Sequence, residues 1–189
     1  QLYKNLQDSL AGLGITSPTP VQQQVIPRLL AGENLLFQSE TGTGKTFAYL
    51  LPLINKIETL SDNQRVRIIV VAPTFELASQ INSECKSITK HKSALLIGGA
   101  PIKRQIEVLK EKPEIIIGTA ARLVELIRLK KLKTDGLFAI VFDETDRLVK
   151  KEALEDTSAL RELLPAGCQI IACTATINKQ TKIFFADAK

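Results

Sequence analysis

The run Gly42–Thr46 (GTGKT) has the composition of a loop that binds phosphate. Its glycines would let backbone N–H groups close around phosphate oxygens, and a following helix would offer its positive N-terminus. Lys45 could reach the β- and γ-phosphates, and the Thr46 hydroxyl could ligate Mg²⁺. Ser39 stands where the strict pattern has glycine, and a glycine-rich turn that caps a helix is the alternative. An apolar segment before the loop and helical spacing after it favour phosphate binding.

A second polar group, Asp143–Asp146 (DETD), directly follows the apolar segment Phe138–Phe142. Asp143 could hold Mg²⁺ through water, opposite Thr46, and Glu144 could orient or deprotonate an attacking water. In-line phosphoryl transfer depends mainly on positioning and charge neutralisation, so these few groups suffice. Alone, the four residues could equally be a solvated acidic turn or the start of a helix. Together with the phosphate loop, they indicate a hydrolytic NTPase.

Gln22 has two interpretations. The segment Thr19-Pro20-Val21-Gln22 has the form of a capping box, with Thr19 at the N-cap and Gln22 at N3. Alternatively, the Gln22 amide could pair with adenine, donating to N7 and accepting from N6. The residues by themselves leave both interpretations open.

These candidate groups need a scaffold, and the apolar pattern indicates an α/β one. Six short apolar segments, continuous rather than alternating, predict strands that are buried on both faces. They are Asn34–Gln38, Arg67–Ala72, Ser93–Ile97, Glu114–Gly118, Phe138–Phe142 and Gln169–Cys173. Segments with helical spacing lie between them, namely Phe47–Leu60, Glu76–Ile88, Ile102–Leu109 and Leu123–Leu129. The alternation predicts one domain over residues 1–189, with a mostly parallel sheet between helices.

Small, polar or acidic residues follow every predicted strand. They are Ser39, Pro73-Thr74, Gly98-Gly99, Thr119, Asp143-Glu144 and Thr174. In an open parallel sheet the carboxyl ends of the strands line one edge, where ligands bind. We therefore expect one edge of the sheet to carry the chemistry.

The overall charge adds little to this picture. The formal net charge is +5, from 25 basic and 20 acidic residues, which is compatible with a polyanionic partner but also with ordinary solubility. No apolar run approaches the ~20 residues that cross a bilayer, so we expect no membrane partner. Three basic groups are interpreted as solvated faces: Lys103/Arg104, Lys130/Lys131/Lys133 and Lys150/Lys151.

The cysteines and the single histidine argue against several other chemistries. Cys85, Cys168 and Cys173 lack metal-ligand spacing, so we expect buried, reduced thiols and no structural metal. Reduced thiols indicate an intracellular protein, cytoplasmic or, in a eukaryote, nuclear or nucleolar. His91 lies between two lysines and is expected to be exposed, which disfavours histidine-dependent triads.

Seven segments, in order and over nearly the whole chain, resemble the motifs of the DEAD-box RNA helicases. They are GITSPTPVQ (14–22, Q motif), SETGTGKT (39–46, motif I), PTFELASQ (73–80, PTRELA), the doublet GG (98–99), GTAARL (118–123, TPGR), DETD (143–146, DEAD) and TAT (174–176, SAT). The chain therefore resembles the family's N-terminal RecA-like domain, a piece of a longer protein. The resemblance implies an RNA-dependent ATPase that uses ATP and Mg²⁺.

The resemblance also implies roles for individual residues. Gln22 would recognise adenine, while the phosphate-loop residues would bind the nucleotide: Thr41, Gly42, Thr43, Gly44, Lys45 and Thr46. Thr46 and Asp143 would serve the metal, and the catalytic groups would be Lys45, Asp143 and Glu144. Thr174, Thr176 and Asp146 would couple hydrolysis to domain movement. The path of the RNA backbone, read without sequence specificity, would be lined by Pro73, Thr74, Gly99, Thr119 and Arg122.

Several departures concern the RNA side. Phe75 replaces the arginine of PTRELA, and Ala120-Ala121 replaces the Pro-Gly of TPGR, whereas Thr145 replaces an alanine and is expected to be tolerated. The chain lacks the upstream aromatic that stacks on adenine in the family and the second RecA-like domain, which supplies an arginine finger. A non-catalytic nucleotide- or RNA-binding module is the alternative. Asn178-Lys179-Gln180-Thr181 starts like a guanine-reading motif but lacks its aspartate, and is interpreted as the start of a terminal helix.

Overall fold

The computed structural model describes residues 2–40, 44–62 and 64–186. Six strands form one parallel sheet in the spatial order β1-β6-β5-β2-β4-β3. Along the chain the strands are β1 (Leu35–Gln38), β2 (Ile68–Val71), β3 (Ser93–Leu96), β4 (Ile115–Gly118), β5 (Ala139–Phe142) and β6 (Gln169–Thr174). Each observed strand begins and ends within one residue of the sequence-based prediction. The α/β fold with a parallel sheet is confirmed.

Helices connect the strands. In the described part of the chain they are α1 (Lys4–Gly12), α2 (Pro20–Leu30), α3 (Lys45–Ile57), α4 (Phe75–Ile88), α5 (Ile102–Leu109), α6 (Ala120–Arg128), α7 (Thr145–Leu148), α8 (Lys151–Glu162) and α9 (Lys179–Ala186). The four helices predicted from apolar spacing correspond to α3 through α6. The terminal helix expected near residue 178 is α9. None of the helices in the described residues is long and apolar enough to traverse a lipid bilayer.

The sheet separates two apolar layers because side chains alternate between the faces of a strand. Ile68 and Val70 face one layer, which includes residues of α1 to α4, whereas Ile69 and Val71 face the other, which includes residues of α6, α8 and α9. Full burial of each such side chain contributes about 1.5–3 kcal/mol. All residues of β2, β4, β5 and β6 are buried.

The prediction that every strand is buried on both faces is wrong for β1 and β3. In these two strands more buried and less buried residues alternate. Both lie at the edges of the sheet, where the flanking helices cover less of the surface. Their continuous apolar sequence therefore did not reveal which strands form the edges.

The expectation that His91 is exposed is also wrong. Only 14% of its side chain is accessible, and each ring nitrogen faces a carboxylate: Nε2 lies 3.1 Å from Glu58 Oε1 and Nδ1 lies 2.9 Å from Glu114 Oε1. Glu114 is itself buried, and its second oxygen has no hydrogen-bond partner among the described residues. The imidazole thus links the end of α3 to the residues just before β3 and β4, beside a cavity of about 820 Å³.

We predict that His91→Ala lowers the free energy of unfolding by about 1–3 kcal/mol, because it removes the partner of a buried carboxylate. Urea unfolding followed by circular dichroism measures this change. Lys92→Ala is the matched control, since Lys92 is the exposed neighbouring residue. Equal loss of stability in the two variants would show that the paired carboxylates do not depend on the imidazole.

Candidate functional site

The order of the strands divides the carboxyl edge of the sheet into two halves. In one half, β1, β6 and β5 are neighbours; the phosphate loop follows β1, Thr174 ends β6 and Asp143 follows β5. In the other half, β2, β4 and β3 are neighbours, and Pro73, Thr119 and Gly98 follow them. The chemistry predicted for one edge therefore separates into a phosphate-binding side and a second polar side.

The phosphate loop leads directly into α3. Gly44 has a positive φ of 84° and precedes Lys45, the first residue of the helix. A Cβ atom at Gly44 would lie 2.5 Å from Gln22 Nε2, so a larger residue would meet a strained backbone conformation and would displace the Gln22 amide. Thr41, Gly42 and Thr43, which were also predicted to bind nucleotide, lie outside the described residues.

Asp143 is the centre of the phosphate-binding half. It is fully buried, and Lys45 Nζ lies 3.2 Å from its Oδ1. The same oxygen accepts hydrogen bonds from the Glu144 backbone N–H at 2.8 Å and from Cys173 Sγ at 3.0 Å, while Oδ2 accepts from the Tyr49 hydroxyl at 2.8 Å. The two predicted catalytic residues Lys45 and Asp143, 98 positions apart in the sequence, are therefore brought into direct contact.

Sequence reasoning missed Tyr49 and Cys173. A partial signal existed for each of them. Tyr49 follows Thr46 by three residues in a helix, and such residues lie on one face. Cys173 immediately precedes Thr174 at the end of β6, but its side chain was interpreted only as a buried thiol. The strand order that puts β6 beside β5 was needed to bring this thiol to Asp143.

Burial and the Asp143 charge shift the protonation equilibria here. Burial, followed by the charge of Asp143, raises the pKa of Tyr49 well above its usual value, and the same two causes raise the pKa of Cys173. For Lys45, burial is the largest single effect and lowers the pKa. The attraction of Asp143 and the other nearby groups together outweighs burial, so the pKa of Lys45 is raised. The cluster therefore holds a cationic lysine, a neutral phenol and a neutral thiol.

The other two cysteines are protonated as well. Burial raises the pKa of Cys85 and of Cys168 to about 12. The prediction of buried, reduced thiols is confirmed for all three cysteines.

Glu144 adopts an unusual backbone conformation. Its φ of 49° lies in the left-handed region, a conformation that costs of order 1–3 kcal/mol in a non-glycine residue. The residue caps α7, and its carboxylate lies 3.0 Å from Arg147 Nη1. Together with Lys45, Thr46 and Thr74, Glu144 lines a cavity of about 420 Å³. Glu144 is therefore part of the wall of the space beside the phosphate loop.

Gln22 is used as a cap and as a link to the phosphate loop. Thr19 and Gln22 form the complete predicted capping box of α2. The Gln22 amide nitrogen also donates to the Gly44 carbonyl at 3.0 Å. The structural interpretation is thus confirmed, and the amide in addition lies beside the predicted nucleotide site.

Hydrogen bonds connect β6 to the acidic turn after β5. The Thr174 hydroxyl accepts from the Asp146 N–H at 3.3 Å, and the Thr176 hydroxyl donates to Asp146 Oδ2 at 3.2 Å. The Thr145 hydroxyl donates to the carbonyls of Phe142 and Cys173, so the residue that departs from the family pattern joins the two strand ends. The other carboxylate oxygen of Asp146 is buried without a partner in the described residues.

The second half of the edge contains the predicted RNA-contacting residues. The Thr74 hydroxyl caps α4 by accepting from the Leu77 N–H, the Thr119 hydroxyl accepts from the Gly98 N–H, and Gly99 has a positive φ of 85°. Pro73 lies immediately before Thr74 and is partly exposed. Hydroxyls and backbone N–H groups of this kind typically contact the phosphates of a nucleic acid rather than the edges of its bases.

Arg122 and Phe75 differ in how they meet solvent. Arg122 is only 12% exposed, because its guanidinium donates to Ala100 O and Gln105 Oε1 at 2.9 Å and pairs with Glu125. Phe75, in contrast, is 51% exposed at the start of α4. An exposed aromatic therefore stands where the family pattern has an arginine, and Arg122 is already engaged within the protein.

Comparison with known proteins gives a consistent result. The chain is 41% identical over 177 residues to DEAD-box ATP-dependent RNA helicase CshC of Bacillus cereus, and 38% identical over 179 residues to DEAD-box ATP-dependent RNA helicase CshB of Listeria monocytogenes. Each match covers 92% of this chain, but only 45% and 41% of the relatives, respectively. The chain thus spans less than half the length of these curated relatives.

The fold comparison agrees with the sequence comparison. The crystal structure of a DEAD box protein from the hyperthermophile Methanococcus jannaschii superimposes with a TM-score of 0.92 at 27% identity, covering all of this chain and 52% of that one. The family model of the DEAD/DEAH box helicases matches residues 19–184. Lys45 of the phosphate loop contacts Asp143 at the end of β5, and the seven motifs occur in the family's order along the chain. The chain therefore belongs to the DEAD/DEAH box helicase family.

Proposed function

We propose that this chain is the ATP-binding, N-terminal RecA-like domain of an RNA-dependent ATPase, a helicase that remodels RNA or RNA–protein complexes. The observation that carries the proposal is the contact between Lys45 and the buried Asp143 beside the cavity that Glu144 lines. A cation that follows β1 and two carboxylates that both follow β5 lie in this region, and this combination suits phosphoryl transfer.

The nucleotide site would extend from Gln22 to the start of α3. Gly44, Lys45 and Thr46 would bind the phosphates, together with Thr41, Gly42 and Thr43. Gln22 would recognise the edge of adenine, which favours ATP over GTP. Its amide already donates a hydrogen bond to the Gly44 carbonyl. The residue proposed to recognise adenine would therefore be in direct contact with the phosphate loop.

Mg²⁺ fits the residues that are present. This ion typically takes only one or two protein oxygens and completes its shell with phosphates and water. Asp143 Oδ1 already contacts a cationic group, Lys45 Nζ, and Thr46 provides a hydroxyl on the adjacent cavity wall. When bound, Mg²⁺ would neutralise charge on the transferring phosphoryl group.

The chain's own residues would divide the remaining work. Lys45 would neutralise charge on the β- and γ-phosphates, and Glu144 would orient the attacking water and accept its proton. Glu144 lines the cavity, whereas the neighbouring Asp143 is fully buried. Thr174, Thr176 and Asp146 would couple hydrolysis to domain movement, and the unpartnered oxygen of Asp146 is a candidate acceptor for that coupling.

RNA and a second RecA-like domain of the same protein are the proposed partners. Pro73, Thr74, Gly99, Thr119 and Arg122 would line the RNA backbone path without reading sequence. The second domain would complete the ATP site by supplying an arginine finger. An intracellular location is supported by the three buried, reduced thiols.

A nucleotide-binding domain with a weakened RNA face is the second candidate. Two observations favour it: Phe75 is exposed, and Arg122 is already engaged by Gln105 and Ala100. The intact cluster of Lys45, Asp143 and Glu144 argues for retained catalysis.

Gln22→Ala is predicted to remove the preference of the chain for ADP over GDP. The wild-type chain should bind ADP weakly but more tightly than GDP, because the amide matches the adenine edge. Titration calorimetry with both nucleotides measures the ratio. Gln23→Ala is the control, since Gln23 is the exposed next residue. Equal affinities in the wild-type chain would leave Gln22 as a helix cap only.

The 189-residue chain alone is predicted to have negligible ATP turnover, even with RNA. An arginine finger contributes ~10³–10⁵ in rate in P-loop enzymes, and its proposed supplier is the second domain. Phosphate release should therefore become RNA-stimulated only in the protein extended through that domain, and Glu144→Gln should abolish it. Robust RNA-stimulated hydrolysis by residues 1–189, lost in Glu144→Gln, would mean that this half-site is already complete.

Phe75→Arg is predicted to tighten single-stranded RNA binding if the RNA path is retained. One added phosphate contact should steepen the salt dependence by about 0.7 in log–log slope. Fluorescence anisotropy with two unrelated RNA sequences at several salt concentrations tests this, with Phe75→Gln as the uncharged control.

Arg122→Ala should weaken RNA binding similarly for both sequences. Glu125→Ala is its control, because it removes only the ion-pair partner of Arg122. No effect of either Phe75→Arg or Arg122→Ala would show that this edge is not an RNA path.

A further inference from the structure

We propose that Tyr49 and Cys173 are positioning residues that fix the Asp143 carboxylate in the orientation needed to hold nucleotide-bound Mg²⁺. This inference rests on the proposed function, in which Asp143 serves the metal. Neither residue belongs to the motifs that identify the family, and neither was predicted to contribute to the site.

The geometry holds the carboxylate from two sides. The Tyr49 hydroxyl lies 2.8 Å from Oδ2, and Cys173 Sγ lies 3.0 Å from Oδ1. A phenol and a thiol each carry one hydrogen and an ionised carboxylate carries none, so both side chains donate. The two donors lie on different elements, Tyr49 on α3 and Cys173 on β6. Rotation of the carboxylate would therefore break at least one of these hydrogen bonds.

Burial makes these hydrogen bonds hard to replace. Tyr49, Cys173 and Asp143 are all fully buried, so a donor lost on this side of the carboxylate would leave a buried oxygen with fewer hydrogen bonds.

Lys45 is the contact that would change on nucleotide binding. Its long, flexible side chain is the group proposed to move to the phosphates, whereas the phenol, the thiol and the Glu144 N–H are held by the core and the backbone. When Lys45 leaves, Tyr49 and Cys173 would keep the carboxylate oriented. Outer partners of this kind typically change metal affinity by about 10–100-fold when they are removed.

Titration of the 189-residue chain with ADP, with Mg²⁺ and in EDTA, tests the inference. Tyr49→Phe and Cys173→Ala should each lower ADP affinity in Mg²⁺ by about tenfold and raise the Mg²⁺ concentration at half-saturation. In EDTA their ADP affinity should match the wild type. Cys173→Ser, which keeps a donor, should restore most of the Mg²⁺ response.

Two control variants lie away from the cluster. Tyr3→Phe removes the hydroxyl of the other tyrosine, and Cys85→Ala removes another buried thiol. Both should leave the Mg²⁺ response unchanged. If Tyr49→Phe does not fold, the comparison of Cys173→Ala with Cys173→Ser decides.

Equal losses of ADP affinity with and without Mg²⁺ would overturn the inference, since they would show a merely structural role. A Mg²⁺ response in Tyr49→Phe and Cys173→Ala that matches the controls would overturn it as well. Asp143→Asn distinguishes a failure of the positioning role from a failure of the proposed metal site. If that variant abolishes the Mg²⁺ response while Tyr49→Phe and Cys173→Ala keep it, only the positioning role fails. If Asp143→Asn also keeps the response, the proposed metal site itself is wrong, and the positioning role fails with it.

Discussion

A fully buried carboxylate, Asp143, is the constraint on which the phosphate-binding half depends. Burying an unpaired charge is strongly unfavourable, so the fold has to surround it with donors and an opposite charge. Lys45 and Tyr49 reach it from the helix after β1, Cys173 from β6 and Glu144 from the turn after β5. This requirement is met only if the ends of β1, β6 and β5 lie side by side. The parallel sheet provides that order, and Glu144, which has a left-handed backbone conformation, donates its backbone N–H to the carboxylate.

The same strand order separates two kinds of chemistry along one edge. The ends of β1, β6 and β5 gather charged groups around a cavity, whereas the ends of β2, β4 and β3 present hydroxyls, glycines and backbone amides. Thr174, the last residue of β6, and Asp146, in the short helix after β5, both belong to the phosphate-binding half and are joined by a hydrogen bond. β5 is the direct neighbour of β2, the nearest strand of the second half. The proposed coupling role rests on this adjacency.

The departures from the family pattern have different physical weight. Thr145 adds a hydroxyl that two backbone carbonyls accept, so it is accommodated without an unpaired donor. Phe75 leaves an aromatic ring half exposed and removes a cation from the RNA-facing half. Arg122 keeps its charge, but its guanidinium already donates hydrogen bonds to Ala100 and Gln105. The proposed catalytic positions thus keep the family's residue types, whereas two of the segments proposed for the RNA side do not.

The sequence by itself determined the strands to within one residue, the capping box of Thr19 and Gln22, and the residues at the chemical edge. It could do so because strand burial, helix capping and strand–turn chemistry are local patterns of residue type. Strand order, the exposed edges at β1 and β3, and the enclosure of His91 between Glu58 and Glu114 were decided only by tertiary structure. So was the role of Tyr49 and Cys173, since 124 positions separate them in the chain. Such contacts depend on which strand ends become neighbours, and no local pattern of side chains carries that information.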